Sequence, residues 1–134
     1  MTANNLTAAT NIPQNVGQGA ALNLGSTQVV NGTSITHTNG STNVTLAPNQ
    51  TYYAQYNVVG VNNANGFSSA GLALNGTGIG GSGGTSSGTP GALSNIAGGG
   101  VFNTGSGSNI LTVFNTNTTA ATYLDATVSV VKLA

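Results

Sequence analysis

The sequence alternates polar and apolar residues in short runs that are separated by turn-forming clusters. The clearest run is Thr51–Val61, where Tyr52 and Tyr56 fall on one face of an extended chain and polar neighbours fall on the other. No window repeats apolar residues at the 3.6-residue spacing of an amphipathic helix. The pattern therefore predicts an all-β fold, with Thr51–Val61 as a central strand and both tyrosines in the core.

Further short runs raise the expected total to about eight to ten strands. Residues 34–37 and 43–46 are predicted to form a hairpin around Asn39-Gly40, because this dipeptide readily adopts positive φ angles. Later strands are predicted at residues 70–74, 110–115 and 126–133.

Residues 76–91 are rich in glycine and serine and are predicted to form a long connecting loop. The loop begins with a formal G-x-G-x-x-G match, which in a dinucleotide site is followed by a helix and by an acidic residue about 20 positions later. Glycine and serine follow here instead. We interpret the match as loop composition and expect no nucleotide cofactor.

Charged residues make up only 1% of the chain, whereas a typical soluble domain has about 25%. The formal net charge is zero, which removes the repulsion that keeps proteins apart and favours association. Without a basic patch, neither nucleic acid nor anionic lipid is attracted electrostatically. No apolar run approaches the roughly 20 residues that span a bilayer. We expect a self-associating protein with no nucleic-acid partner and no membrane insertion.

The side chains that usually carry chemistry are scarce. Cysteine is absent, and the chain has one histidine, His37, one carboxylate, Asp125, and one lysine, Lys132. One carboxylate cannot form the acid–base pair of a glycosidase-type site. His37, Asp125 and any of several serines could nominally make a Ser-His-Asp triad. The glycine-flanked Ser82, however, lies in a segment predicted to be too flexible to hold a strained nucleophile. We expect no enzymatic activity, no catalytic or metal-binding residues and no cofactor.

The strands predicted at residues 110–115 and 126–133 are apolar on both faces. In a two-sheet domain only one face of a strand meets the core, so the second apolar face needs another partner surface. We expect these residues to be divided between the domain core and an interface with another subunit. With the two tyrosines, the candidate core and interface residues are Tyr52, Tyr56, Ile110, Leu111, Val113, Phe114, Val128, Val130, Val131 and Leu133.

Five segments carry, in order, a resemblance to a known family. They are VNGTSITHTNGSTNVTL at residues 30–46, TYYAQYNVVG at 51–60, GLALNGT at 71–77, LTVFN at 111–115 and ATVSVVKL at 126–133. Together they resemble the C-terminal domains of BclA-type collagen-like glycoproteins of bacterial spore surfaces. The resemblance covers most of the chain after about residue 19.

The resemblance implies a jelly-roll sandwich of two antiparallel sheets, similar to tumour necrosis factor and to complement-type heads, that forms a homotrimer at the end of a collagen-like stalk. No Gly-X-Y repeat is present, so the chain corresponds to the head alone. Residues 19–134 are the predicted trimerising head domain, and residues 1–18 are an N-terminal extension that is stalk-proximal or tag-derived.

The implied function is structural and extracellular: a trimerisation head that nucleates and caps the stalk of a spore-surface (exosporium) filament or another bacterial surface fibre. The alternative is an adhesin head of a bacterial surface or phage fibre that binds a host protein or a glycan. Its candidate features are the loop at residues 76–91 and the side chains of Tyr53 and Tyr123, taken as exposed rings that could stack on sugars. With so few aromatic residues and no tryptophan, ordinary packing is the favoured interpretation of the two tyrosines.

Overall fold

The computed structural model describes residues 3–134. The described chain is all-β and forms two antiparallel sheets, which confirms the predicted fold class. Four of its strands are only two or three residues long, which brings the total in this range to twelve rather than eight to ten. The strands are β1 (Asn5–Thr10), β2 (Gln14–Val16), β3 (Ser26–Asn31), β4 (Ile35–His37), β5 (Val44–Leu46), β6 (Thr51–Val61), β7 (Phe67–Leu74), β8 (Thr77–Gly78), β9 (Gly84–Ser87), β10 (Leu93–Asn103), β11 (Asn109–Asn115) and β12 (Ala121–Lys132).

Sheet A has the strand order β10-β6-β12-β1-β3, and β2 also pairs with β12. Its centre is β6, which pairs with β10 on one side and β12 on the other, as the alternation of Thr51–Val61 predicts. The first strand, β1, pairs with the last strand, β12, so that Asn5 lies opposite Val131. The two ends of the described chain therefore lie together at one end of sheet A.

Sheet B has the strand order β4-β5-β11-β7-β8, and β9 also pairs with β7. The predicted hairpin is confirmed by β4 and β5, in which Ile35 lies opposite Leu46. At the far end of β7, Asn75 and Gly76 form a two-residue turn into β8 with φ angles of 52° and 82°. Positive φ at both turn positions matches the twist of the paired strands and explains the Asn-Gly sequence.

The core lies between the sheets and is filled by alternate residues of the long strands. In β6 these are Tyr52, Ala54, Tyr56 and Val58, each at most 1% exposed. Two tyrosine hydroxyls of sheet A reach across the core. The Tyr56 hydroxyl donates to the carbonyl oxygen of Ala70 (2.9 Å) or of Ser82 (2.8 Å), and the Tyr123 hydroxyl donates to that of Ser69 (2.6 Å). The core is thus apolar in bulk but is also cross-linked by hydrogen bonds, which satisfy the buried hydroxyls.

The predicted boundary after residue 18 falls inside the sandwich. Strand β1 is an integral part of sheet A, and its Leu6 and Ala8 are 1% and 0% exposed. Strand β2 pairs with β12 through Val16. The sandwich therefore includes these residues, while residues 1 and 2 of the predicted extension lie outside the described range. The sequence 5–10 has too few large apolar residues to signal a strand by itself.

The glycine-rich stretch at residues 76–91 is only partly a loop. It contains β8 and β9, both of which pair with β7. The next glycine cluster lies within β10, where Gly98 is opposite Tyr56 in β6. A Cβ atom at Gly98 would overlap the Ser82 carbonyl oxygen and lie 2.9 Å from the Tyr56 hydroxyl. Glycine is required at position 98 by close packing within a strand. The prediction of a long connecting loop was wrong for residues 77–78 and 84–87, which form β8 and β9.

Candidate functional site

The side chains of His37, Asp125 and Lys132 make no hydrogen bond or ion pair with one another within residues 3–134. Both nitrogens of the His37 ring are occupied: Nε2 donates to the Ser41 carbonyl oxygen (3.0 Å), and Nδ1 lies 2.8 Å from the Thr27 hydroxyl. His37 belongs to sheet B, whereas Asp125 and Lys132 lie on β12 in sheet A. Residues 3–134 contain no cluster of three His, Cys, Asp or Glu side chains able to hold a metal ion.

Ser82 is neither mobile nor available as a nucleophile. Residues 80–84 formally spell G-x-S-x-G, but the Ser82 side chain is 1% exposed. Its hydroxyl donates to the Ile79 carbonyl oxygen (2.7 Å) and accepts from the Leu72 amide (3.0 Å). These bonds anchor the β8–β9 connection to β7. Ser82 therefore has a structural role. Within residues 3–134 its side chain makes no hydrogen bond to His37 or Asp125.

The two tyrosines considered for sugar stacking differ in exposure. Tyr53 is 39% exposed, whereas Tyr123 is 1% exposed, so the expectation that Tyr123 is exposed was wrong. The Tyr123 hydroxyl donates to the Ser69 carbonyl oxygen (2.6 Å) or to the Asn115 side chain (3.1 Å). Burial raises the pKa of Tyr56 and the pKa of Tyr123 to about 12. Both hydroxyls therefore stay protonated at neutral pH and act as hydrogen-bond donors inside the core.

The outer face of sheet A carries an unpartnered line of apolar side chains. Tyr53 lies opposite Val101 of β10 on one side and Val131 of β12 on the other. We call these three residues the apolar row; they are 39%, 60% and 40% exposed in that order. Leu133 lies just beyond the end of β12, two residues after Val131, and is 55% exposed. The row lies at the end of the sheet where Asn5 pairs with Val131.

The outer face of sheet B has a concave surface instead. A cavity of about 600 Å³ lies along β11, whose Ile110, Thr112 and Phe114 point to the same side. Asn75 flanks Ile110, and Asn43, which continues the β5 register, flanks Thr112. We call this cavity, defined by Asn43, Asn75, Ile110, Thr112 and Phe114, the β11 hollow.

The polypeptide is similar in fold to several solved structures. Eiger TNF from S. frugiperda matches with a TM-score of 0.76 and 14% identity, over 100% of this chain and 94% of that chain. Murine APRIL at pH 5.0 matches with a TM-score of 0.72 and 16% identity, over 98% and 99% of the two chains. The globular domain of zebrafish complement 1qA protein matches with a TM-score of 0.69 and 10% identity, over 95% and 94%.

The fold is a TNF-like jelly roll. At these sequence identities the likeness concerns the fold, and no protein-family profile and no curated protein matches the sequence. The TNF-like fold agrees with the architecture that the resemblance to spore-surface heads implied. Among residues 3–134, no helix is long and apolar enough to cross a membrane.

The TNF-like jelly roll distributes the ten candidate residues over three environments. Six belong to the core, three lie on the outer face of a sheet, and one follows the end of β12. The core residues are Tyr52, Tyr56, Leu111, Val113, Val128 and Val130. The outer-face residues are Val131 on sheet A and the half-buried Ile110 and Phe114 on sheet B, and the residue after β12 is the exposed Leu133.

Sequence reasoning did not find two members of the apolar row in this role. Tyr53 was considered only for sugar stacking, and Val101 follows the three glycines that concealed β10. The signal available for Tyr53 was its phase in β6, because it alternates with the core residues Tyr52 and Ala54. Val101 has no comparable signal, since its strand is recognisable only from its pairing with β6.

Proposed function

We propose that this chain is a non-catalytic trimerisation head of an extracellular collagen-like filament, of the kind found on bacterial spore surfaces. The observation that carries the proposal is the apolar row on the outer face of sheet A, where Tyr53, Val101 and Val131 are exposed side by side. Such a row on a solvent-facing sheet marks an association surface. The resemblance to BclA-type heads and the TNF-like fold favour three copies as the assembly.

The row is suited to close contact between copies because no charge needs to be desolvated there. Its neighbours along β6 and β12 on the same face are Gln55 and Ser129, which lie opposite each other in the register. The Ser129 hydroxyl is 2.9 Å from that of Thr7 on β1. The Ser129 hydroxyl therefore already has a partner when it is covered, and covering uncharged groups costs less than covering charges. The apolar row supplies the hydrophobic gain.

A second exposed apolar patch lies at the edge of the same sheet. Val29 and Val30 of the edge strand β3 are 49% and 52% exposed. In the proposed assembly, the apolar row of one copy packs on the β3 edge of the next. Contact between two different patches is heterologous, and such contacts produce a closed ring when the rotation between copies is suitable. A ring of three is the arrangement we propose.

The position of the row fits a role in aligning three chains. Near the start of the described chain, Asn5 pairs with Val131 of the row, and the Lys132 amide donates to the Asn4 carbonyl oxygen (2.9 Å). A stalk that precedes these residues would therefore join the head next to the proposed contact. Bringing three stalk ends together removes part of the entropic cost of starting a triple helix, because the later steps become intramolecular.

Sedimentation at micromolar concentration tests the proposal. We expect a species of about 39 kDa, which is three times the chain mass of 13.0 kDa. Val131→Asp should convert it to the monomer, because three carboxylates would be buried without partners. The matched control is Phe67→Asp, which places the same charge on an exposed apolar position of sheet B, away from the row. A monomeric wild type, or a Val131→Asp variant that keeps the trimer mass, would contradict the proposal.

A further inference from the structure

The β11 hollow has the size and shape of a small-molecule site. Its volume is about 600 Å³, within the range of roughly 300–1,000 Å³ that is usual for ligand pockets. The wall along β11 is made by Ile110, Thr112 and Phe114, which are spaced two residues apart and so extend over about 13 Å. The smaller Thr112 between two larger side chains makes the surface concave.

The aromatic side chain of the hollow is held in a fixed position. The Phe114 ring lies over two glycines: a Cβ atom at Gly71 would be 3.3 Å from the ring, and one at Gly78 would be 3.6 Å away. On its other side, Phe114 forms a β-bridge with Ala21, whose segment runs beside β11. A half-exposed ring on a backbone floor is a preformed stacking platform, which costs little conformational entropy to use.

Polar groups without protein partners face the same hollow. Within the described chain, neither the Thr112 hydroxyl nor the side-chain NH₂ of Asn43 makes a hydrogen bond to another protein group. Asn75 is different, because its side chain accepts from the Ile110 amide (2.8 Å) and donates to Asn109 (3.1 Å). Both ends of the Asn75 side chain are therefore occupied, and this residue forms part of the rim of the hollow. The Thr112 hydroxyl and the Asn43 NH₂ group are the groups that can bind a ligand.

The charge distribution determines what kind of ligand fits. The charged residues Asp125 and Lys132 both lie on β12 of sheet A, so sheet B has no Asp, Glu, Lys or Arg. A charged ligand would lose its hydration in the hollow without gaining a counter-charge. The Asn43 Oδ1 atom already accepts from the Thr42 hydroxyl (3.0 Å), which leaves its NH₂ group to donate. A ligand with hydroxyl groups and an apolar ring face would match this NH₂ group, the Thr112 hydroxyl and the Phe114 ring together.

We propose that the β11 hollow is a binding site for a neutral saccharide of one or two rings, with the sugar face on Phe114 and its hydroxyl groups on Thr112 and Asn43. The site lies on the opposite sheet from the apolar row, so it does not depend on the proposed trimer. It contains neither Tyr53 nor Tyr123, and of the loop at residues 76–91 only Gly76 lines it.

The test is a glycan array that holds neutral, sialylated and sulfated sugars, followed by titration of the best neutral binder. We expect saturable binding of neutral sugars that Phe114→Ala weakens at least roughly tenfold. Thr112→Val keeps the shape and should weaken it roughly fivefold through one lost hydrogen bond. The matched control Phe67→Ala removes an exposed aromatic side chain of the same sheet outside the hollow and should leave binding unchanged.

Three outcomes would overturn the saccharide site: no neutral sugar bound at millimolar concentration, binding only of charged glycans, or neutral binding that Thr112→Val and Phe114→Ala leave intact. Sedimentation of the same variants reports on assembly separately. If Phe114→Ala lowers the mass of the assembly, the hollow is a contact between copies and the saccharide proposal is wrong. If the variants bind no sugar but keep the wild-type mass, only the saccharide proposal fails.

Discussion

The Tyr123 hydroxyl donates a 2.6 Å hydrogen bond to the carbonyl oxygen of Ser69, and this bond joins β12 in sheet A to β7 in sheet B. Asn115 and Asn117 lie beside it: the Asn117 side chain donates to Asn115 (2.9 Å), whose own NH₂ group donates to the Val16 carbonyl oxygen (3.0 Å). The cluster satisfies the polar groups buried beneath the β11–β12 connection. It closes one end of the core with hydrogen bonds rather than with apolar packing.

Tyr123→Phe should lower the free energy of unfolding by about 1–3 kcal/mol. The variant keeps the ring but removes the donor, which leaves the buried Ser69 carbonyl without this partner. Tyr53→Phe is the matched control, because it keeps the ring of the apolar row and removes a hydroxyl that makes no hydrogen bond within residues 3–134. The change should stay within about 0.5 kcal/mol. Urea unfolding measures both variants. Equal effects would show that the inter-sheet bond contributes nothing.

Gly98→Ala should destabilise the protein by about 1–3 kcal/mol, since the new methyl group would overlap the Ser82 carbonyl oxygen and crowd the Tyr56 hydroxyl. Gly100→Ala, two residues along β10, is the control. A Cβ atom there meets nothing within 4 Å, so we expect a change of about 0.5 kcal/mol or less. Thermal unfolding of the two variants measures both effects. A tolerated Gly98→Ala would mean that the β8–β9 connection, which contains Ser82, can move away from β10.

The stability should fall at alkaline pH because of two buried tyrosines. Burial raises the pKa of Tyr56 and of Tyr123 to about 12, whereas an unfolded tyrosine titrates near 10. Between these values the unfolded chain loses protons that the folded chain keeps, so stability is fully present below about pH 10 and is lost as the pH rises towards 12. The loss is on the order of 2 kcal/mol for each tyrosine by pH 12.

Urea titrations at several pH values measure this slope. The double variant Tyr56→Phe/Tyr123→Phe starts less stable but should show a much flatter decline above about pH 10. A wild type whose stability is constant through pH 12 would mean that these hydroxyls titrate normally and are reached by water.

Leu6→Ala should destabilise the sandwich by about 2–5 kcal/mol, because Leu6 is 1% exposed within β1. Ile12→Ala offers a nearby comparison in the same N-terminal region. Ile12 is 69% exposed, and we expect little change there. If both variants unfold like the wild type, residues 1–18 would behave as an appended extension after all.

The proposed trimer should be insensitive to salt. The chain has one acidic and one basic residue, and neither belongs to the apolar row, so the contact has no ion pairs to screen. Raising the ionic strength to about 1 M, where charges are screened beyond about 3 Å, should leave the sedimentation coefficient unchanged. Dissociation at high salt would instead indicate an interface dominated by charge.

The sequence predicted the elements whose alternation is strong and unbroken. β6 has eleven residues in a regular pattern, and β4 and β5 flank an Asn-Gly turn, so local chemistry determines them. β10 could not be predicted in the same way. Its Gly98 is dictated by the Tyr56 hydroxyl and the Ser82 carbonyl, which come from distant parts of the chain. Sequence order contains no sign of that contact.

The error on Tyr123 has a specific cause. The register of β12 against β6 shifts between Tyr123 and Asp125, where Tyr123 lies opposite Gly60 and Asp125 opposite Val59. This irregularity reverses the phase of the strand, so that Tyr123 enters the core although strict alternation from Val128 would place it outside. The candidate site was likewise predictable only in part. The sequence showed which strand faces are apolar, but the β11 hollow is formed by residues from separate segments that only the fold brings together.

The pairing of β1 with β12 also has a consequence for how the protein is made. Asn5 and Val131 come from opposite ends of the chain, so sheet A cannot be completed until the last strand has left the ribosome. Until then, the backbone groups of β1 that later pair with β12 have no partner strand. The chain also has almost no charge that would repel other copies. Contacts so distant in sequence make folding slow, on the scale of milliseconds to seconds for such topologies. The interval before β12 arrives is therefore when this protein is most exposed to aggregation.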